Sequence, residues 1–244
     1  MQKKGAMMKL HSRKLVMEIC APAAALLLLA ACAGSGGQQP TIDTGPNAEV
    51  TYDGLYRVNR PTLDEAWVKP DLDLRPYTKI MPVNGGVAYR EVRDSGGRAL
   101  TRSTANEFPI STENRARLEQ TIAEEFREEF ETLDNYEIVS EPGPDVLTLK
   151  LALIDVVSNV PPEPIGRSTV YLRSVGEATL VLELYDSESG EILARAVDRR
   201  AAESAYPRES NPVTNWSEVR RLARTWARIL RQRFETVSEI RAQT

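Results

Sequence analysis

Residues 146–157 read VLTLKLALIDVV and residues 176–185 read GEATLVLELY; between them they decide the fold. In the first, Leu147, Leu149, Leu151 and Leu153 fall on every second position, and in the second Ala178, Leu180, Leu182 and Leu184 repeat the pattern. A period of two puts all these side chains on one side of an extended chain, which predicts two β-strands that each bury one face. The run Asp186-Ser187-Glu188-Ser189-Gly190 is turn chemistry, so residues 192–201 are expected to return as a hairpin partner. Residues 161–174, with three prolines, read as the loop joining the first strand to the second.

Outward from this core the period changes. After Ser111 or Thr112 as a cap, Leu118, Ile122, Phe126, Phe130 and Leu133 recur at spacings of four and three, with Glu119, Glu124, Glu125, Glu128 and Glu129 around the rest. That spacing predicts an amphipathic helix, stopped near Asp134-Asn135. A second one is expected to open at Asn215, with Glu218 in capping-box position, and to carry Val219, Leu222, Ala223, Trp226, Ile229, Leu230 and Phe234 as its stripe. Tyr77–Val83 is the first expected strand, continued over 87–92 past a turn at Gly85-Gly86, and Tyr136–Val139 is a short one. Residues 93–110 read as an excursion, and residues 51–76, with Pro61, Pro70 and Pro76, as ordered chain with little regular structure. The fold class that follows is α/β (α+β): a two-layer sandwich of a mixed, mostly antiparallel sheet with two amphipathic helices on one face.

The N-terminus is of a different kind. Lys3, Lys4, Lys9, Arg13 and Lys14 precede an apolar stretch from Ile19 to Ala31, which is the order of a secretory signal and too short for a comfortable membrane span; translation starts at Met1, Met7 or Met8. The stretch ends Leu29-Ala30-Ala31-Cys32, which resembles the lipobox of bacterial lipoproteins, in which small residues fit the peptidase and the cysteine thiol receives the lipid. The competing reading is an ordinary signal peptide with Cys32 as a stray thiol. The lipobox implies three regions: a lipoprotein signal peptide over 1–31, the lipidated Cys32 and a flexible Gly/Ser/Gln-rich tether over 32–50, and a single α/β domain over 51–244. Several acyl chains on Cys32, at about 0.8 kcal/mol per buried methylene, hold a protein stably in a bilayer. Ala33 in place of Asp implies, by likeness to enterobacterial sorting, the outer membrane with the domain facing the periplasm.

Processing changes the composition. The 244-residue chain has net charge −4; the first 31 residues hold five basic residues and one acid, so the remaining 213 carry −8. A chain of that sign is not built to bind nucleic acid. His11, Cys20 and Cys32 are the only histidine and cysteines, which leaves no Ser-His-Asp or Cys-His arrangement, no disulfide and no cofactor expected. Carboxylate pairs acting on an envelope polymer remain open as an enzymatic alternative, as do calcium or magnesium ligands at Asp71-x-Asp73 or Asp186-Ser187-Glu188, although neither has calcium-loop spacing.

Two features point to a partner. Arg220, Arg221, Arg224, Arg228, Arg231, Arg233 and Arg241 line the last helix without a lysine, and Arg220, Arg224, Arg228 and Arg231 are the candidate surface; the alternative is a solvated face partly paired with the acids of the first helix. Of the three tryptophans, Trp226 belongs to the apolar stripe and Trp216 reads as a packing anchor. Trp67, in an irregular segment among charges, is the candidate contact residue.

Asp53-Gly54-Leu55, Ala66-Trp67-Val68-Lys69-Pro70, Leu74, Tyr77, Pro82-Val83 and Trp226-Ala227, behind a lipobox, resemble the family of uncharacterised bacterial lipoproteins known as domain of unknown function 3313. The resemblance implies a lipid-anchored envelope domain and brings no catalytic residues with it. The order of elements is also similar to small α/β envelope lipoproteins that assist larger machines, such as peptidoglycan synthase activators and transport auxiliaries. The expectation is therefore a protein-binding or envelope-assembly accessory.

Overall fold

A computed structural model describes residues 40–92, 107–161 and 169–242. The expected signal peptide, Cys32 and residues 33–39 of the tether lie outside the described residues, as does most of the excursion after Val92. Ten elements follow in order: β1 (Thr41–Ile42), β2 (Tyr56–Asn59), β3 (Glu65–Val68), β4 (Lys79–Tyr89), α1 (Thr112–Phe130), β5 (Glu137–Ile138), β6 (Val146–Ser158), β7 (Tyr171–Asp186), β8 (Ile192–Glu209) and α2 (Pro212–Ala242). The strands form one eight-stranded sheet ordered β1-β2-β3-β8-β7-β6-β4-β5. The three-strand corner β6-β4-β5 is parallel and every other pairing is antiparallel. A hairpin cannot join parallel neighbours, and α1 supplies the crossover from β4 to β5. The molecule is the expected mixed sheet with two helices.

The alternating leucines behave as their period dictates. Leu147, Leu149 and Leu153 of β6 and Leu180, Leu182 and Leu184 of β7 are buried in one cluster with Phe126 and Phe130 of α1 and Trp226, Leu230 and Phe234 of α2. Phe130 meets Phe126 and Phe234 edge-to-face at 6.0 and 6.2 Å, and Tyr136 meets Phe234 at 5.3 Å, so one aromatic chain ties both helices together. Both helices thus cover the same face. Ser111 is the cap of α1, its hydroxyl accepting from Asn114 N at 3.3 Å.

Several expectations are corrected. Gly85-Gly86 is no turn: β4 runs through it, with a register shift between Asn84 and Val87 against β6. A side chain at Gly85 would meet Ala152 Cβ and Leu151 O at 2.9 Å, and Gly86 has φ 90°, so the pair makes a bulge beside a close-packed neighbour. Residues 51–76 hold β2 and β3, four residues each and too short for a visible period between their prolines. The tether region is not all tether, since Thr41 and Ile42 pair with Asn59 and Val58. Residues 171–174, expected in a loop, begin β7, and β8 continues to Glu209, beyond Ala201. α2 starts at Pro212 rather than Asn215. Its cap is Asn211, whose Oδ1 accepts from Val213 N and Thr214 N at 3.0 Å, with proline in the favoured first position. Glu218 does not close a capping box; it is buried and ion-paired to Arg208 and Arg221.

Candidate functional site

Alternation that sends the leucines under the helices sends their neighbours to the other side of the sheet, where no helix of the described residues lies. Thr148, Lys150, Ala152 and Ile154 on β6, Glu177, Thr179, Val181 and Glu183 on β7, and Arg195, Val197 and Arg199 on β8 share this second face. Register then decides which of them meet. Lys150, Glu183, Arg195 and Trp67 are direct cross-strand neighbours in one row. Lys150 Nζ lies 3.3 Å and Arg195 Nε 2.9 Å from the Glu183 carboxylate, Tyr185 donates its hydroxyl to it at 2.7 Å, and Arg195 Nη2 reaches Asp53 at 2.7 Å. Burial alone would raise the Glu183 carboxyl, but hydrogen bonds from Tyr185, Arg195 and Lys150 outweigh it and hold it below its ordinary value. The Tyr185 hydroxyl is pushed up to about 12 by burial and by the Glu183 carboxylate.

A second row closes the other end. Arg90 grips Asp155 through Nε at 2.7 Å and Nη2 at 2.5 Å, and also reaches Glu177 at 2.8 Å and Glu107 at 2.5 Å. Arg199 shares Glu177 at 2.5 Å. Asp155 sits at φ 56°, where the β6 register against β7 slips between Ile154 and Val157. The extra residue of this irregularity takes the left-handed conformation that Asp tolerates, and it aims the carboxylate at Arg90. Arg90 depresses the Asp155 carboxyl, and Arg199 with Arg90 overcomes burial to do the same to Glu177. Between the two rows lie half-buried Ala152, Val181 and Val197; Ile154, 42% exposed, is level with Arg199, and Val83, 37% exposed, stands beside Lys150 at the end of the first row. An apolar strip framed by two charge ladders is the most distinctive surface of the described residues.

Beside the second row is a cleft of about 510 Å³ lined by Tyr89, Arg90, Val92, Phe108, Ile110 and Arg115 among others. The Arg115 guanidinium stacks 4.3 Å over the Tyr89 ring and its Nε donates to Ile110 O at 3.1 Å. An apolar cavity of about 70 Å³ lies on the inner face between β3, β8 and α2. It has room for little more than a small alkyl group.

The sequence-predicted residues are dispersed. Arg224 pairs with Glu125 and Glu128 at 2.7 and 3.6 Å, and Arg228 and Arg231 reach Glu129 at 3.7 and 3.0 Å. These arginines clamp α2 to α1, although the Arg224–Glu125 pair, close as it is, lacks hydrogen-bond angles and leaves the buried Glu125 Oε2 without an aligned donor. Arg220 is exposed. Trp67 is half-buried on the open face in line with Arg57 and Arg195, and its Nε1 is buried with no hydrogen-bond partner among the described residues. Trp216 packs under the Arg117 guanidinium at 4.4 Å. Buried Trp226 donates to Asp198 at 2.8 Å, and Asp198 also accepts from Asp64 N and Arg200. Asp73 is held by Arg75, and Asp186 by Ser189 and Tyr77. No group of three metal-binding side chains occurs among the described residues. No helix there is long and apolar enough to cross a membrane. The Arg90 cluster was missed in the sequence; its one signal is Asp155 interrupting an otherwise apolar run.

No curated protein matches the chain. Among solved structures it is similar to a PelC dodecamer from Paraburkholderia phytofirmans, at 12% identity over 64% of this chain and 89% of that one, with a TM-score of 0.31. It is also similar to a DUF330 protein from Xanthomonas campestris, at 16% identity over 69% and 89% with a TM-score of 0.35. A third is a neuraminyllactose-binding hemagglutinin homolog from Helicobacter pylori, at 9% identity over 68% and 91% with a TM-score of 0.36. None of these likenesses carries an argument about activity. The family model described as protein of unknown function (DUF3313) matches residues 47–230, which is most of the chain, and the protein belongs to that family.

Proposed function

We propose that this protein is a lipid-anchored accessory of the bacterial envelope whose open sheet face binds another protein. The observation that carries this reading is the apolar row of Ala152, Val181 and Val197, widened by exposed Ile154 beside Arg199 and Val83 beside Lys150, and bordered by the Lys150-Glu183-Arg195 and Arg90-Asp155-Glu177-Arg199 ladders. Apolar surface at the centre of a patch favours association by burial, and a rim of fixed charges of both signs sets orientation. The Leu29-Ala30-Ala31-Cys32 run supports anchoring through an acylated Cys32, and Ala33 supports the outer membrane with the domain in the periplasm.

Glu91 lines the cleft itself, and the two carboxylates clamped by Arg90 beside it speak for a structural rather than an acid–base role. Asp155 and Glu177 are held below their ordinary values by arginine, whereas a general acid in glycoside hydrolysis needs a raised one. The test is a photo-crosslinker at position 154, in cells, with position 213 on the first turn of α2 as comparison. One defined protein captured from 154 and not from 213 is expected; equal, diffuse labelling from both would sink the reading. Cys32→Ser should move the protein from the membrane fraction to the soluble one.

A further inference from the structure

The turn between Val50 and Leu55 gives the open face a wall. Val50 bridges to Tyr56 at the start of β2, while Asp53 pairs with Arg195 on β8 at 2.7 Å. β3 lies between β2 and β8, so the chain from Val50 to Asp53 crosses β3 on the open side, where Trp67 stands between Arg57 and Arg195. The turn is firmly held. Thr51 N donates to Leu55 O and Gly54 N to Thr51 O, both at 2.9 Å, with Gly54 at φ 81°, and Leu55 is fully buried. Tyr52, in the same turn, is 96% exposed. A phenol held rigidly in water beside an apolar row is a contact group that loses little freedom on binding.

Beside this wall lies the floor of Ala152, Val181 and Val197, with exposed Ile154 next to it on β6 and Val83 on β4. From β8 to β4 the floor spans three interstrand spacings, about 14 Å. A helix is about 10 Å across and fits that width. A flat sheet packing at about 10 Å over the whole face meets the turn first, and a second copy of this face would bring a second turn with it. An extended peptide fails for another reason. β6, β7 and β8 each pair on both sides, so their backbone groups are already bonded, and a strand laid on the row would leave its own N–H and C=O groups against apolar side chains. A helix satisfies those groups internally and offers one apolar stripe.

The charges at the borders set the chemistry of its flanks. Glu183 and Arg195 are mostly covered, whereas Lys150 at one border is 42% exposed and Arg199 at the other 53%. Asp155, at 40%, is the most exposed acid of the two ladders. Two reachable cations against one anion favour a helix with acidic flanks.

We propose that the occupant of the open face is one amphipathic helix of the partner protein. Its apolar stripe lies on Ala152, Val181, Val197 and Ile154, its acidic flanks stand beside Lys150 and Arg199, and Tyr52 holds its side. This rests on the protein-binding reading above and names the element recognised there.

The experiment uses the full chain in cells with the photo-crosslinker at position 154, and mass spectrometry of the adduct locates the captured segment. The crosslinker is then moved to each successive position of that segment in the partner. Capture of this protein is expected to recur at every third or fourth position, in a segment with Asp or Glu flanking its apolar positions. Tyr52→Ala should lower capture from 154 several-fold and Tyr52→Phe should not. Both variants should keep the parent's urea midpoint, because the ring is almost wholly in water. Capture at every second position, a segment with basic flanks, or a Tyr52→Ala variant that captures as well as the parent overturns the helix site while protein binding stands. Capture of a second copy of this chain overturns it as well. If no defined protein is captured from 154, the protein-binding reading falls and the helix site with it.

Discussion

The covered and open faces of the sheet are built from the same strands, residue by residue in alternation, yet they are held by different physics. On the covered face Leu147, Leu149, Leu180 and Leu182 lose nearly all contact with water under Phe130, Trp226 and Phe234. On the open face the matching positions hold Lys150, Glu183, Arg195 and Arg199 in cross-strand pairs that remain partly wet. Burial is non-directional and large per residue, whereas partly exposed ion pairs are directional and weak. The contrast teaches that one face secures the fold while the other is free to be specialised for contact.

The largest effect belongs to the covered face. Trp226→Ala removes a buried indole and should cost about 3–5 kcal/mol, read as a lower urea midpoint with an unchanged slope. Next is Asp198→Ala, which leaves the Trp226 and Asp64 donors without their acceptor and should cost about 1–3 kcal/mol. An Asp198 variant as stable as the parent would show that this buried carboxylate is dispensable to the helix–sheet contact.

Arg90→Met sharpens the comparison through pH. The Asp155 and Glu177 carboxyls have folded values below their unfolded ones, so the stability they contribute is complete above the usual carboxylate range and lost as pH falls through the folded values. The variant should be less stable than the parent by about 1 kcal/mol at neutral pH, and the gap should narrow at pH 3. A gap that is the same at both pH values would mean that Arg90 acts through its packed stem rather than its charge. The smallest expected effect is Ile154→Ser, within about 0.5 kcal/mol of the parent, with loss of the crosslinked partner. Loss of both stability and partner would erase the division of labour between the faces.

Much of the covered face was legible because period is a local property. Leu118, Phe126 and Phe130 on α1, and the leucines of β6 and β7, announce their common side without any knowledge of neighbours. The arginines of α2 were legible as a row, but whether they met solvent, a partner or α1 depended on helix packing, and Glu125, Glu128 and Glu129 take three of them. Trp67 stood out as an aromatic among charges, while the strand that carries it was too short to read. The Arg90 cluster gathers the residue after β4, β6, β7, β8 and the chain before α1, so no window of sequence contains it.

By itself the sequence determined the alternation that makes the strands, the stripes that make both helices, and hence one apolar face closed by two helices. These are decided by chemistry within a few residues along the chain. Only the tertiary structure decided that β4 lies parallel between β5 and β6, that a slip in the β6 register turns Asp155 toward Arg90, and that Lys150, Glu183 and Arg195 fall in one row. Strand order and register join residues far apart in sequence through backbone hydrogen bonds that are the same for every side chain, so local pattern carries almost no record of them.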